Sequence, residues 1–149
     1  MKYSLFFACI LISSLGFGQI ESTHLNLKKS VALSGYDPIS YFDGKPEKGS
    51  SNYSVKYKGA IYYFKNENHL TLFKNSPSNY EPEYGGWCAY AMGVDGSKVK
   101  IDPETFKVIN GKLYLFYNFG FTNTLEPWNE NEADLLNKAD EYWSKMIKK

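Results

Sequence analysis

Cys88 carries the chemistry most open to a functional reading. It stands in Tyr84-Gly85-Gly86-Trp87-Cys88-Ala89-Tyr90-Ala91-Met92-Gly93, and the other cysteine of the chain is Cys9. Cys9 falls in a stretch that reads as an export signal, so the mature chain keeps one thiol. Exported chains usually pair their cysteines or lose them. A solitary thiol framed by glycines and aromatics invites a chemical explanation. If Gly86 opens a short helix, Cys88 lies in its first turn, where free backbone N–H groups favour a thiolate. Met92 follows about one turn later, on the same helix face. A thiolate and a thioether are soft ligands suited to Cu(I) or another soft transition metal. The same residue types also fill cores, and two sulfurs do not complete a site. His69 is the candidate further ligand, or a base toward Cys88. It sits beside Asn66, Glu67 and Asn68 at an expected helix start, which is usually a solvated place. His24 precedes the core. Neither His-x-x-x-His nor Cys-x-x-Cys occurs, which argues against a closed zinc site.

The other polar residues point less sharply. Asp37, Asp43, Asp95, Asp102 and Glu104 lie in expected turns, without the Asp-x-Asp-x-Asp-Gly spacing of a calcium loop. Asp37-Pro38 and Asp102-Pro103 read as turn organisers. No Gly-x-Ser-x-Gly and no phosphate-cradling glycine loop is present, and no catalytic residue can be named. Aromatic residues make up 17% of the chain. Most tyrosines should keep the ring in the core and the hydroxyl at its edge. The sharper alternative is a ligand platform of Tyr36, Tyr41, Tyr84 and Trp87, with Asp37 beside it.

The elements that must position these residues follow from period and punctuation. Met1 to Gln19 has a positive start, a short apolar run and small residues near its end, the pattern of a secretory signal. The run is short for a membrane span, which needs about 20 apolar residues. Residues 20–30 read as a mobile arm and residues 31–149 as one domain. Ser34 to Pro38 is turn chemistry, and Ile39 to Phe42 reads as a short strand. Tyr53 to Tyr57 and Ala60 to Phe64, joined by Lys58-Gly59, read as a hairpin. Asn66 caps a helix that Ser76-Pro77 stops. Tyr80 to Tyr84 reads as extended, and Gly85-Gly86 permits unusual backbone angles. Trp87 to Met92 reads as a short helix ended by Gly93. Strand pieces are expected at 99–101 and 106–109. Asn110-Gly111 marks a second hairpin with a return strand over 112–117. From about Glu130 to Lys148, Leu135, Ala139, Tyr142, Trp143 and Met146 recur at helical spacing. The expected fold is a small single α+β domain with antiparallel hairpins, short helices and a C-terminal amphipathic helix.

Charge excludes some classes. The chain has 17 Lys+Arg against 16 Asp+Glu, a net charge of +1. Without a basic stripe, nucleic-acid binding has little support. No basic amphipathic helix is present to hold a membrane surface after signal cleavage.

Gly35-Tyr36-Asp37-Pro38-Ile39-Ser40-Tyr41-Phe42 resembles the opening of a YHS domain-containing protein. The resemblance continues through Tyr57 to Phe64, Phe73 to Tyr80 and Tyr84 to Ala89, then Asp102 to Phe106 and Asn110 to Leu115. It spans residues 33–146 and is specific as a whole. It implies a small α+β module often associated with metals, exported to the periplasm or outside the cell. The thiols of the metal-associated members are replaced here by Tyr41, or its neighbour Ser40, and by Lys65. Cys88 belongs to the exported subgroup's own motif. The leading expectation is therefore an exported YHS-like binding domain, with Cys88, Met92 and His69 holding copper or Cys88 presenting a thiol. The alternative is a module that binds a small ligand or a protein partner through its aromatic surface. A thiol enzyme, with Cys88 as nucleophile and His69 as base, is the least supported reading.

Overall fold

The structure, a computed structural model, describes residues 22–148. The expected signal lies outside them. The segment expected as a mobile arm is, from Ser22 onward, part of the fold. Strand β1 (Leu27–Lys28) turns back onto β2 (Val31–Ala32). Upstream of it, Asn26 N–H donates to Gly85 O at 2.8 Å and Asn26 Nδ2 to Gly86 O at 3.0 Å.

The Ile39–Phe42 segment is not a strand. Asp37 reorganises it: Oδ1 accepts the Ile39 N–H at 2.9 Å, and the bonds Ser40 N to Asp37 O and Phe42 N to Ile39 O curl the chain into successive turns. Competition by a short side-chain acceptor defeats the strand propensity of Ile, Tyr and Phe. The first hairpin then forms as its alternation predicts, from β3 (Ser50–Tyr57) and β4 (Ala60–Phe64). Strand β4 also pairs in parallel with β2, giving a four-stranded sheet of order β1-β2-β4-β3. Helix α1 (Glu67–Asn75) follows, with Asn66 Oδ1 accepting the His69 N–H at 2.9 Å as its N-cap.

Helix α2 (Ala89–Asp95) starts two residues later than expected and runs through Gly93 to end at Gly96, whose φ is 77°. Gly93 is an interior residue for a packing reason. A Cβ there would stand 2.5 Å from Leu135 O on the C-terminal helix. The 99–101 segment carries no strand. Instead β5 (Asp102–Ile109) begins at Asp102, crosses an irregularity before Phe106, and pairs with β6 (Lys112–Phe116) through the Asn110-Gly111 turn. Both turn residues have positive φ, 51° and 75°, as a two-residue hairpin requires. A small hairpin of β7 (Asn118–Phe119) and β8 (Thr122–Asn123), then α3 (Leu125–Glu130), precede α4 (Glu132–Ile147). The fold is α+β. No helix among the described residues is long and apolar enough to cross a membrane.

Strand β6 sits between two hydrophobic clusters. Its alternation sends Leu113 and Leu115 into the cluster with Phe64, Phe73 and Tyr41, and Tyr114 and Phe116 into the cluster with Trp128, Leu135 and Ala139. The period of two thus serves two cores at once. All four side chains are buried.

Candidate functional site

Cys88 is the residue before α2. Its N–H donates to Val99 O at 2.9 Å and its carbonyl accepts the Met92 N–H at 3.0 Å. These bonds and a parallel bridge to Leu115 fix the backbone against β6. The sulfur has no exposed surface, yet it is not enclosed by hydrocarbon alone. Sγ lies 3.4 Å from Thr124 Oγ1 and 3.4 Å from Tyr117 N. The Thr124 hydroxyl donates to Tyr117 O at 3.0 Å, so toward the sulfur its oxygen accepts. The thiol therefore donates to Thr124, while the Tyr117 N–H is shared between Thr124 Oγ1 and Sγ. Thr124 comes from the end of the β7–β8 hairpin, so this hairpin places the polar cap on the sulfur.

A cleft of about 300 Å³ opens over this group, lined chiefly by Cys88, Tyr90, Ala91, Val94, Val99 and Tyr117. Its walls are mostly apolar, with Thr124, Ser97 and Asp95 as its polar lining residues. Val94 is exposed on the rim. Phe119, which stacks edge-on against Tyr117 at 5.0 Å, and Phe121 at the hairpin turn are exposed nearby. Apolar side chains left in water around an apolar cleft mark a place of contact.

The expected metal ligands do not converge. Met92 is fully buried in the second cluster with Trp128, Tyr114 and Phe116, whereas Cys88 belongs to the first. The spacing does put both residues on α2, but the β6 wall divides what they touch. His69 is bound elsewhere. Its Nδ1–H donates to Asp37 Oδ2 at 2.7 Å, and its Nε2 lies 3.9 Å from Asp43 Oδ2. His69 is buried despite its place in the first turn of α1, because the first turn packs onto the Asp37 loop. Among the described residues, no cluster of His, Cys, Asp and Glu has the arrangement of a metal site. Cys88 and His69 each have other hydrogen-bond partners, and neither is the other's. The nucleophile–base pairing thus lacks its required contact.

Asp37 shows what the sequence hid. It is fully buried, and its carboxylate accepts N–H groups from Ile39, Lys65 and His69. It joins the opening turn, the end of β4 and the first turn of α1. The adjacency of aspartate and proline announced a turn; the long-range partner His69 left no local signal.

The four expected platform aromatics are dispersed into the fold. Tyr36, Tyr41 and Tyr84 are buried, and Trp87 is half-buried. Tyr36 OH donates to Glu104 at 2.7 Å and Tyr41 OH to Pro103 O at 2.8 Å, so both brace the start of β5. Tyr84 OH donates to Asp140 at 2.8 Å, and Trp87 Nε1 to His24 O at 2.8 Å. The hydrogen bond to Glu104, then burial, raises the Tyr36 pKa. Burial raises that of Tyr41, and burial and then Asp140 raise that of Tyr84. These phenols stay neutral and structural. Thr124 and Tyr117, which complete the Cys88 site, lie where the sequence shows no motif. The chain matches no family model, and no curated protein or solved structure is significantly similar to it.

Proposed function

We propose that this chain is an exported YHS-like binding domain that receives a small apolar ligand in the cleft over Cys88. One observation carries the reading. Cys88, the one cysteine among the described residues, lies in the wall of an open, mainly apolar cleft, and its buried sulfur is held by Thr124 and the Tyr117 N–H. The mainly hydrocarbon lining and the few convergent polar atoms are the usual make-up of a small-molecule site. Cys88 acts as a polarizable part of the cleft wall, its sulfur contacting Thr124 and the Tyr117 N–H among the described residues. Export and family membership are part of this proposal and rest on the sequence.

Indole is a suitable probe, being flat, apolar and small enough for the cleft. Titrated into the labelled protein, it should shift the amide signals of Tyr90, Val94, Tyr117 and Thr124 saturably. Ala91→Trp, which fills the cleft from its wall, should abolish those shifts and leave the rest of the spectrum in place. Shifts that never saturate, or that persist in Ala91→Trp, would remove the proposal. Copper binding is the competing reading. Cu(I) titrated against a competing chelator should be taken up equally weakly by wild type and Cys88→Ser; tight uptake by wild type alone would favour the metal.

A further inference from the structure

A second cavity, of about 150 Å³, lies behind the Gly85-Gly86 turn, away from Cys88. Several segments line it, among them these three. The N-terminal segment brings Leu25 and Leu27, the turn brings Glu83 and Tyr84, and α4 brings Trp143. The turn itself is unusual. Tyr84, Gly85 and Gly86 all take left-handed backbone angles, with φ of 54°, 62° and 83°. That region is unfavourable for a tyrosine, and such a residue is kept only where surrounding packing enforces it. Here the enforcement is visible: a Cβ on Gly85 would meet His24 O at 2.8 Å and the Trp143 ring at 3.0 Å. The turn is clamped, and the clamp holds Glu83 at the cavity wall.

The charges within the cavity do not cancel. Lys58 Nζ lies 3.0 Å and 3.3 Å from the two oxygens of Glu81, and both side chains are largely covered. That pair is satisfied internally. Glu83 is the second carboxylate on the lining. Its ion-pair contact among the described residues is Lys112 Nζ at 3.5 Å, and Lys112 is mostly exposed, outside the lining. Within the lining one lysine faces two glutamates, and the charge that balances Glu83 comes from Lys112 at its exposed position outside. Burial raises the Glu83 pKa, and Lys112 offsets this only in part. The carboxylate is thus partly desolvated, with Lys112 as its ion-pair partner. Around it stand Tyr62, Tyr84 and Trp143, rings whose faces favour a cation.

We propose that this cavity binds a small primary ammonium compound, its charge against Glu83 and its hydrocarbon against Leu33 and Trp143. The size limits the class. At about 30 Å³ for each water-sized atom, the space takes roughly five non-hydrogen atoms, the size of a short alkylamine. This site is separate from the Cys88 cleft and does not depend on it.

Butylammonium chloride is the probe, with butan-1-ol and sodium butyrate as the uncharged and anionic matches. Amide and indole signals of the full mature chain are followed at neutral pH. Butylammonium should produce saturable shifts at Leu33, Gly85, Gly86 and the Trp143 indole. Its affinity should exceed that of either match by at least about ten-fold. Glu83→Gln should lose that preference, and wild type should lose it as acid protonates Glu83. Ser78→Arg alters an exposed position on the lining, so folding is not at stake. It should weaken butylammonium several-fold by adding a cation. Equal binding of the three compounds, unchanged affinity in Glu83→Gln with Ser78→Arg, or no saturable shift at these residues would overturn the proposal.

Discussion

At the residue scale, the buried Asp37–His69 pair is a stabilising contact that leaves no local trace in the sequence. Asp37 has no exposed surface, and His69 Nδ1 is 2.7 Å from it. Removing one member leaves a buried carboxylate short of a donor, which costs more than the pair contributes net. His69→Ala should therefore lose about 3 kcal/mol in urea denaturation. His69→Asn, which restores a donor, should lose less. An equal loss in both variants would mean that volume matters here and the hydrogen bond does not. Glu83 gives the opposite sign. Its pKa is raised by burial against the partial relief of Lys112. The native chain therefore holds this proton to a higher pH than the unfolded chain does. Below the ordinary carboxylate range both states are protonated and nothing is lost. As pH rises through the raised native value, stability falls. Glu83→Gln should be more stable than wild type at neutral pH, with the difference closing in acid. A difference that grows in acid would contradict the burial assignment.

At the element scale, the two longer hairpins and the capped helix α1 were legible because their signals are local. Lys58-Gly59 and Asn110-Gly111 set two-residue turns, and Asn66 caps α1 as its side chain predicts. The failures arose where distant partners decide. Ile39 to Phe42 has strand propensity, but the Asp37 carboxylate takes the Ile39 N–H, and backbone carbonyls of Asp37 and Ile39 take those of Ser40 and Phe42 into turns. Gly93 resembles a helix stop, but it is the point where α4 approaches α2. Alanine would raise helix propensity at Gly93 by up to about 1 kcal/mol. Its Cβ would stand 2.5 Å from Leu135 O, a backbone atom that cannot swing aside. Overpacking of this kind costs about 1–3 kcal/mol. Gly93→Ala should accordingly lower the thermal midpoint despite its better propensity. A rise would show that α4 yields at this contact. The β7–β8 hairpin and α3 were missed altogether. Asn118 to Asn123 is too short for a period to emerge, and Trp128 is buried with no repeating pattern around it.

At the scale of the whole molecule, β6 explains why the sulfurs of Cys88 and Met92 serve different ends. With both faces of β6 buried, the residues packed on either side enter separate clusters. Sequence spacing alone put the two sulfurs together and could not show this wall. Cys88 was singled out in the sequence by its isolation among glycines and aromatics. Its cleft was not, since Val99, Tyr117 and Thr124 reach it from remote segments. The aromatic richness that suggested a platform is consumed in bracing, with phenols bonded to Glu104, Pro103 and Asp140. An apolar cleft stands open between α2, the 97–99 segment and the small hairpin. Cys88 is buried, so methyl methanethiosulfonate reaches it only through the cleft as its walls fluctuate; the rate of that modification, with and without indole, tests the proposed ligand cleft directly. Saturating indole should slow modification in wild type by at least about ten-fold, by a mass-action protection. It should have no effect in Ala91→Trp. The same rate in wild type with and without indole would contradict a ligand cleft over the thiol.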